Sequence, residues 1–205
     1  MMTFFRKKFT SFSDERLMEF IKNGEKSAFE ELYVRYSNRL LYYFFRMLGG
    51  DAEKAQDFLH DVFLKVIENI ENFHTAQKFS TWVYTIAYNL CKNEYRRLAV
   101  RKNYDYHSEL DTVSNSNDTN FDYQTDLIDM KNFNENLLST LNTFDPMQRS
   151  TFLLRYQENY SIKTISEILG CSEGTTKSRL FYATRKLAEK LREFNPLHNE
   201  EILIK

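Results

Sequence analysis

A single helical face near the C-terminus carries side chains of the kinds that contact DNA. At about 100° per residue, a helix over residues 172–191 brings a small residue, a hydroxyl, two aromatic rings and a guanidinium to one side. These residues are Gly174, Ser178, Phe181, Tyr182 and Arg185. Lys177 and Arg179 flank that side, where phosphates would lie if the helix occupied a DNA major groove. A solvated face usually carries paired Glu and Lys, so we interpret this one as a DNA-contacting face; the alternative is a helical hairpin packed on another domain.

Two helices joined by a tight turn are predicted to position this face. The first helix has apolar residues at steps of three and four, the spacing of one buried helical face. These residues are Ile162, Ile165, Ile168 and Leu169. Gly170 is predicted to end this helix, and the Ser172 side chain to cap the next one. The apolar series of the second helix is Thr176, Leu180, Ala183, Leu187 and Leu191. The sequence therefore predicts a helix-turn-helix.

The residues of this motif also resemble a known family. The run EILGCSEGTTKSRLFYATRKL is similar to the region that contacts the −35 promoter element in bacterial sigma factors of the extracytoplasmic-function (ECF) group, which carries a G-T-V-K-S-R-[IL]-like string. Thr176 stands here at a usually apolar position, and Tyr182 stands where the family often has arginine. The resemblance implies a −35 contact surface made of Thr175, Lys177, Ser178, Arg179, Phe181, Tyr182 and Arg185.

The composition favours an all-α protein of two small helical domains. The 205 residues are 42% hydrophobic and include only five Gly and two Pro, which favours long helices over a turn-rich β fold. The net charge of −1 lacks the basic excess of a protein that binds DNA unaided. No apolar run approaches the roughly 20 residues of a membrane span, and no secretory cleavage site follows the basic N-terminus. We therefore expect a cytoplasmic protein.

A polar, acidic segment divides the chain. Acidic residues dominate residues 103–136, and the stretch from Tyr104 to Tyr123 has almost no apolar periodicity. This composition is typical of a flexible linker, which we assign to residues 101–126. The predicted domains on its two sides are a helical domain over residues 14–100 and the helix-turn-helix domain over residues 127–194.

Two segments of the first domain resemble the same family. The run AQDFLHDVFLKV is similar to the sigma-factor helix that binds the clamp of core RNA polymerase, which implies core contacts from Asp57, His60 and Asp61. His60 replaces the common glutamine. The run FSTWVYTIAYNLCKNEYRR is similar to the helix that engages the −10 element, with its W-x-x-x-I-A-x-N core intact and Asn93 where aspartate is usual. The resemblance covers residues 28–97 and 137–191.

The helix predicted over residues 80–97 has an unusual outer face. Its inward residues are Trp82, Val83, Ile86, Leu90 and Cys91. Its outward residues are Tyr84, Tyr88, Asn89, Lys92, Asn93, Arg96 and Arg97. Interleaved aromatic and basic residues are typical of surfaces where bases stack and phosphates pass. The preceding helix has a wide inward apolar stripe that includes Ile67.

The loop before that helix is the candidate site of promoter melting. Taking a base out of the stack costs a few kcal/mol, so melting needs a pocket for the base and a cationic track for the strand. The residues assigned to −10 contacts are Phe73, His74, Lys78 and Phe79 in the loop, then Tyr88, Asn89, Lys92, Arg96 and Arg97. The alternative for the loop is an ordinary connection between helices.

The sequence contains none of the motifs expected of an enzyme or a metal site. It has no nucleophile elbow, phosphate loop or paired catalytic carboxylates. Cys91 and Cys171 show no metal-ligand spacing with any histidine, and their number excludes a disulfide framework. We therefore expect no catalytic activity, no cofactor and no metal.

Three functions remain to be weighed. The first is a sigma subunit that binds core RNA polymerase and directs promoter recognition, promoter melting and transcription initiation. The second is a stand-alone helix-turn-helix regulator with an N-terminal input or dimerisation domain, which the net charge disfavours. The third is a protein-interaction bundle, which would leave the basic and tyrosine-rich helix unexplained. The first implies core polymerase and promoter DNA as partners and, by resemblance only, an anti-sigma factor. No stable homo-oligomer is expected.

Overall fold

Helices form all the regular secondary structure of the residues that the structure describes. The computed structural model describes residues 9–105 and 128–194. Within them lie eight α-helices: α1 (Asp14–Lys22), α2 (Lys26–Met47), α3 (Ala52–Glu68), α4 (Phe79–Asp105), α5 (Ile128–Asn142), α6 (Pro146–Tyr156), α7 (Ile162–Leu169) and α8 (Glu173–Lys190). Short 3₁₀ turns follow α3 and α8, at Ile70–Asn72 and Arg192–Phe194. The predicted all-α class is confirmed.

The first part of the predicted linker is helical. α4 continues to Asp105, past the boundary predicted at residue 100. The segment LAVRK at residues 98–102 consists largely of good helix formers, so nothing in its composition ends the helix where the charge pattern changes. Residues 106–126 of the predicted linker lie outside the described residues, and the domain limits otherwise remain a prediction.

Side-chain caps set the starts of five helices. Each cap accepts a hydrogen bond from a backbone N–H two or three residues further on, which satisfies a group that the helix itself leaves unpaired. These caps are Ser13, Asp51, Asp145, Ser161 and Ser172. α7 ends at Gly170, whose φ of 62° lies in the left-handed region that favours glycine. The predicted turn between α7 and α8, with its glycine end and serine cap, is therefore present.

Aromatic rings fill the core formed by α1 to α4. The largest fully buried rings are those of Tyr43, Phe44, Phe73, Phe79 and Tyr84. They meet mainly edge to face, a favourable arrangement for aromatic pairs. The ring of Tyr84 lies 5.5 Å from that of Tyr43 on α2, and 5.4 Å from that of Tyr160, which precedes α7. One residue of α4 thus contacts both the N-terminal and the C-terminal helices.

The structure corrects three predicted orientations. Tyr84 and Tyr88, predicted to face outward, are 0% and 2% exposed, because α4 packs against α6 and α7 on the side that the periodicity left open. Ile67, predicted to face the core, is 47% exposed. It lies at the end of α3, where Val66 already occupies the inward position.

The helix-turn-helix is built on a small apolar core that includes the buried hydroxyl group of Thr176. Ile165 and Ile168 of α7 pack with Ala183 and Leu187 of α8, and all four are buried. Thr176 is also fully buried, and its hydroxyl donates to the Ser172 carbonyl at 3.1 Å. The threonine that replaces an apolar residue is thus accommodated, since its polar group is satisfied within its own helix.

Buried polar contacts join α2 and α4 to α6. The Tyr43 hydroxyl lies 2.8 Å from Ser150 Oγ. Beside it, Arg149 Nη1 donates to the Met47 carbonyl and to the Tyr95 hydroxyl, both at 2.8 Å, and the Tyr95 hydroxyl donates in turn to the Met47 carbonyl. Arg149 is only 4% exposed, and burial lowers the pKa of its guanidinium. A buried cation therefore holds the end of α2 against α6.

A second polar group extends this junction toward solvent. The Glu158 side chain is 1% exposed and lies 2.7 Å from the Arg39 guanidinium on α2. The adjacent Gln157 donates to the Arg39 carbonyl at 3.3 Å and accepts from Arg46 at 3.0 Å. Because Arg39 is 46% exposed, water screens the outer part of this ion pair. We define the interdomain junction as Tyr43, Arg149 and Ser150 together with Arg39 and Glu158.

We expect Arg149→Ala to weaken the interdomain junction. The substitution removes two hydrogen bonds from a charged donor and leaves the buried Met47 carbonyl with one donor fewer, a cost of about 1.5–3 kcal/mol. Arg155→Ala is the matched control, since this exposed arginine of α6 makes a single bond to the Tyr160 carbonyl. Thermal unfolding and small-angle scattering would show a lower Tm and a larger radius of gyration for Arg149→Ala alone. Equal effects of the two substitutions would contradict this prediction.

Candidate nucleic-acid interface

α8 exposes the face that the sequence predicts for DNA contact. Phe181 and Tyr182 are 62% and 59% exposed, and their ring centroids lie 5.5 Å apart. Lys177, Ser178 and Arg185 are exposed on the same helix. Large exposed aromatic side chains on a folded surface usually mark a site of interaction. The surface of α8 therefore offers rings, a hydroxyl and cations together.

The local packing explains why this face points outward. The opposite side of α8 is occupied by Thr176, Ala183 and Leu187, which are buried against the rest of the helix-turn-helix. Thr175 is half-buried at the start of α8, with its hydroxyl 2.9 Å from the capping oxygen of Ser172. Thr175 thus helps to fix the first turn of the helix.

Tyr156 at the end of α6 adds a third exposed ring that the sequence analysis did not assign to the site. It is 52% exposed, stacks on Phe152 at 4.7 Å, and its hydroxyl lies 3.4 Å from that of Thr184 on α8. The spacing of apolar residues in α6 could not identify Tyr156 as part of this surface. That spacing shows which residues share a face of α6, but it does not show the angle at which α8 crosses α6. The exposed aromatic surface therefore extends beyond α8 to the end of α6.

Arg179 and Tyr88, which were both assigned to DNA, are partly and fully withdrawn from solvent, respectively. Tyr88 on α4 is 2% exposed, and Nη1 of Arg179 is buried with no hydrogen-bond partner among the described residues. Burial raises the pKa of the Tyr88 phenol, and the nearby positive charge of Arg179 opposes that rise. In this arrangement Tyr88 is not accessible to DNA, whereas Arg179 is partly exposed.

The candidate base-binding loop has buried ends and an exposed centre. Phe73 and Phe79 are 1% and 0% exposed, their ring centroids lie 6.1 Å apart, and Trp82 packs against both. His74 and Lys78 are exposed, as are the residues between them. The two phenylalanines assigned to DNA contact therefore anchor the loop in this structure, and residues 74–78 form its accessible part.

Cations line the exposed side of α4. Lys92, Arg96, Arg97 and Arg101 are all exposed, and Asn89 is exposed one turn before them. A shallow open groove runs along this part of the helix. It is lined by Asn93, Arg96, Arg97, Val100 and Arg101. The predicted cationic track is thus continuous on one helix.

The buried carboxylate of Glu94 pairs with one arginine of this track. The Glu94 side chain is 6% exposed and pairs with Lys54 of α3 and with Arg97, whose guanidinium lies 2.8 Å away. Burial alone would raise the pKa of Glu94, but the hydrogen bonds and charges of Lys54 and Arg97 outweigh it and lower that pKa. The carboxylate therefore joins α3 to α4 and holds one of the track arginines.

The surface assigned to core polymerase is acidic and partly apolar. Asp57, His60 and Asp61 are all exposed on α3. Leu64 and Ile67 follow on the same helix with 55% and 47% exposure. Ile67 was predicted to face the core as part of a wide apolar stripe, and no orientation was predicted for Leu64. Carboxylates beside exposed aliphatic side chains suit a partner with a basic and apolar surface.

The described residues contain neither a candidate membrane span nor a candidate metal site. No helix among residues 9–105 and 128–194 has the length and hydropathy needed to cross a membrane. The same residues contain no group of three or more His, Cys, Asp or Glu side chains that could hold a metal ion.

Both halves of the chain match models of one protein family. Residues 32–101 match the family described as Sigma-70 region 2. Residues 134–187 match the family described as Sigma-70, region 4. The first match contains α3, most of α2 and most of α4, and the second contains the helix-turn-helix. The cationic track and the exposed face of α8 therefore fall in different regions of this family.

Curated relatives match along nearly their whole length. The ECF RNA polymerase sigma factor SigW of Bacillus subtilis is 26% identical, over 84% of this chain and 94% of its own. The ECF RNA polymerase sigma-E factor of Haemophilus influenzae is 29% identical, over 87% of this chain and 95% of its own. These relatives thus share both regions in the same order.

Solved structures show the same fold. The sigma factor RpoE of Bartonella quintana, in complex with the anti-sigma factor NepR, superposes with a TM-score of 0.66 at 21% identity, over 80% of this chain and 96% of its own. CnrH, in complex with the cytosolic domain of CnrY, gives a TM-score of 0.65 at 19% identity, over 89% of this chain and 99% of its own.

The ion pairs of Glu94 predict a pH-dependent contribution to stability. Because its pKa is lower in the folded chain than the unfolded value of about 4.3, Glu94 stabilises the fold above that value and loses this contribution as the pH falls through the folded pKa. We expect Glu94→Gln to cost about 1–2 kcal/mol at pH 7 and much less at pH 3. Thermal unfolding of both proteins between pH 7 and pH 3 measures this, with Glu135→Gln on α5 as control. A Tm difference that is the same at every pH would count against the proposed ion pairs.

Proposed function

Because this chain belongs to the ECF group of the sigma-70 family, we propose that it binds core RNA polymerase and directs it to a subset of promoters. It acts as an initiation factor and contributes no catalytic group of its own. Its place of action is the cytoplasm, where the polymerase works. The observation that carries the proposal is that both matched regions occur in one chain. One region contains the cationic track, and the other contains the exposed face of α8.

The promoter contacts divide between these two regions. The exposed face of α8 contacts the −35 element in the major groove, where hydroxyl and guanidinium groups can bond to base edges and rings can contact thymine methyl groups. The accessible part of the loop, residues 74–78, receives a base taken out of the −10 element. Lys92, Arg96 and Arg97 follow the phosphates of the separated strand.

The two regions must separate before both can act. Tyr88 is buried in this structure where α4 packs against α6 and α7 of the other region, so a complex that uses its side chain on DNA requires the interdomain junction to open. The junction is polar along much of its length, and its groups can be rehydrated when it opens. The described arrangement is thus the closed form of the protein.

The anti-sigma partner is proposed on narrower grounds. The RpoE structure that resembles this chain was determined with the anti-sigma factor NepR. A protein that holds the closed form would keep Tyr88 covered and so prevent its contact with the promoter. We infer that a partner of this class regulates the present chain.

A stand-alone helix-turn-helix regulator explains less of the molecule. It would use α8 but assign no role to the exposed carboxylates and aliphatic side chains of α3. It would also need more basic surface than a chain of net charge −1 provides.

Reconstitution with core polymerase tests the proposed function. We expect the purified chain to bind duplex promoter fragments weakly at physiological salt, because few phosphates can be neutralised by the free, closed protein. Core polymerase freed of sigma subunits should raise promoter binding sharply and start transcription at defined sites selected from a pool of upstream regions. Tight, sequence-specific binding by the chain alone would instead support the stand-alone regulator.

The acidic surface of α3 gives a second expectation. Asp57 and Asp61 lie one helical turn apart and share a face, where two like charges repel. The double substitution Asp57→Ala and Asp61→Ala should therefore leave thermal stability unchanged or slightly higher. It should weaken core binding by about 2–5 kcal/mol if the pair is desolvated in the complex.

A core-binding titration and a thermal melt of the same preparations measure these two effects. Glu30→Ala, which removes an exposed carboxylate from α2, is the control and should change neither. A large drop in Tm with unchanged core affinity would make the two aspartates structural.

A further inference from the structure

Both ends of the base-binding loop are tied to α1, an element that neither the sequence motifs nor the matched family regions include. Lys22 Nζ donates to the carbonyl of Phe73 at 3.0 Å and to that of Glu71 at 3.5 Å. Glu15 Oε1 accepts a hydrogen bond from the backbone N–H of Phe79 at 3.1 Å. Both contacts join residues that are far apart in the chain.

The two side chains are placed on α1 so that they can span the loop. Glu15 and Lys22 are seven residues apart, about two helical turns, and therefore lie on the same face about 10 Å from one another. One contacts the residue at which the loop begins, and the other contacts the residue at which it ends. α1 thus lies along the base of the loop.

Each charge matches the backbone group that it contacts. Phe79 is the first residue of α4, so its N–H has no partner within the helix and lies at the positive end of the helix dipole, where a carboxylate is favoured. The carbonyls of Glu71 and Phe73 lie at the other end of the loop and accept from the Lys22 ammonium. Exchanging the two charges would remove both interactions.

Ring packing fixes the same two positions but leaves the centre of the loop exposed. Phe79 packs edge to face on Tyr36 of α2 at 5.1 Å, and Phe73 lies 5.1 Å from Trp82. Within the exposed part, the Gln77 N–H donates to the His74 carbonyl, which closes a single turn. The orientation of this turn therefore depends on how its two ends are held.

We propose that Glu15 and Lys22 are positioning residues for promoter melting. They hold the two ends of the loop at a fixed separation, so that residues 74–78 present a preformed site for the unstacked base. This inference rests on the proposed function of the loop. Its physical basis is that binding of the unstacked base must offset the free energy lost when stacking is broken. If the loop had to become ordered when the base binds, the entropy cost of ordering it would reduce the net free energy of binding.

The test compares an intact promoter with one already melted. We expect Glu15→Gln and Lys22→Met, assayed as the full chain with core polymerase, to slow open-complex formation on duplex promoter by about 10- to 100-fold. On the same promoter carrying a mismatched −10 region, both variants should start transcription at close to the rate of the unsubstituted chain. Lys22→Arg keeps a donor to the two carbonyls and should recover most of the rate on duplex DNA.

Three comparison variants separate positioning from general damage. Glu19→Gln, in the exposed pair with Arg16 on α1, and Lys26→Met at the start of α2 change similar charges near the loop without touching it, and should behave as the unsubstituted chain. Arg185→Ala on α8 should lose activity equally on duplex and mismatched templates. Thermal unfolding of every variant shows whether it is folded at the assay temperature.

The proposal is overturned if Glu15→Gln and Lys22→Met lose the same factor on both templates, or lose nothing on duplex DNA. If Glu15→Gln or Lys22→Met unfolds the chain, the Lys22→Arg variant still tests the proposal. A folded Lys22→Arg variant that does not recover the rate on duplex DNA also overturns it. Failure of the proposed function would look different, because the unsubstituted chain would then be inactive with core polymerase on both templates.

Discussion

The ring of Tyr84 lies between two other tyrosines, and the position of α4 depends on this contact. Tyr43 of α2 lies on one side at 5.5 Å and Tyr160 on the other at 5.4 Å. Because Tyr84 is fully buried, α4 cannot shift against one group of helices without losing packing against the other. Only the later turns of α4 remain in solvent, and these carry the cationic track. The contact thus fixes both the closed form and the surface that is left accessible within it.

Polar groups give the interdomain junction its specificity. A junction made only of aliphatic side chains would be as strong as a domain core and would tolerate small shifts in register. Here Arg149 Nη1 bonds to the Met47 carbonyl and the Tyr95 hydroxyl, and Glu158 pairs with Arg39, and each of these contacts requires a defined register of the helices. Buried charge pairs contribute less net stability than their geometry suggests. The junction therefore combines a defined geometry with a modest resistance to opening.

Periodicity predicted the helices well and their surroundings less well. The cap at Ser172, the end at Gly170 and the outward face of α8 follow from local rules about hydrogen bonding and helical spacing, and the structure has all three. Tyr84 and Tyr88 were placed outward because spacing shows which residues share a face but not what covers that face. The two loop phenylalanines were assigned to DNA for a similar reason, since the sequence of a loop does not show which of its aromatic side chains are buried in the core.

The contribution of α1 could not be predicted from spacing at all. Glu15 and Lys22 look like ordinary surface charges of an amphipathic helix, and their contacts lie 64 and 51 residues away in the chain. Long-range contacts of a side chain to a backbone group leave no local pattern in a sequence. By contrast, the exposure of Asp57 and Asp61 on α3 could be predicted, because spacing places them opposite the apolar residues of their own helix.

The interdomain junction also links binding events that occur at distant surfaces. A ligand that binds only the open form has its affinity reduced by the fraction of molecules that are open. If core polymerase and promoter DNA both require the open form, a change at Arg149 or Glu158 alters the affinity for each of them by the same factor, although neither residue contacts either ligand. A partner that binds only the closed form is affected in the opposite direction, by the change in the fraction of molecules that are closed. On that condition, the strength of one buried contact sets the balance between open and closed populations of the protein.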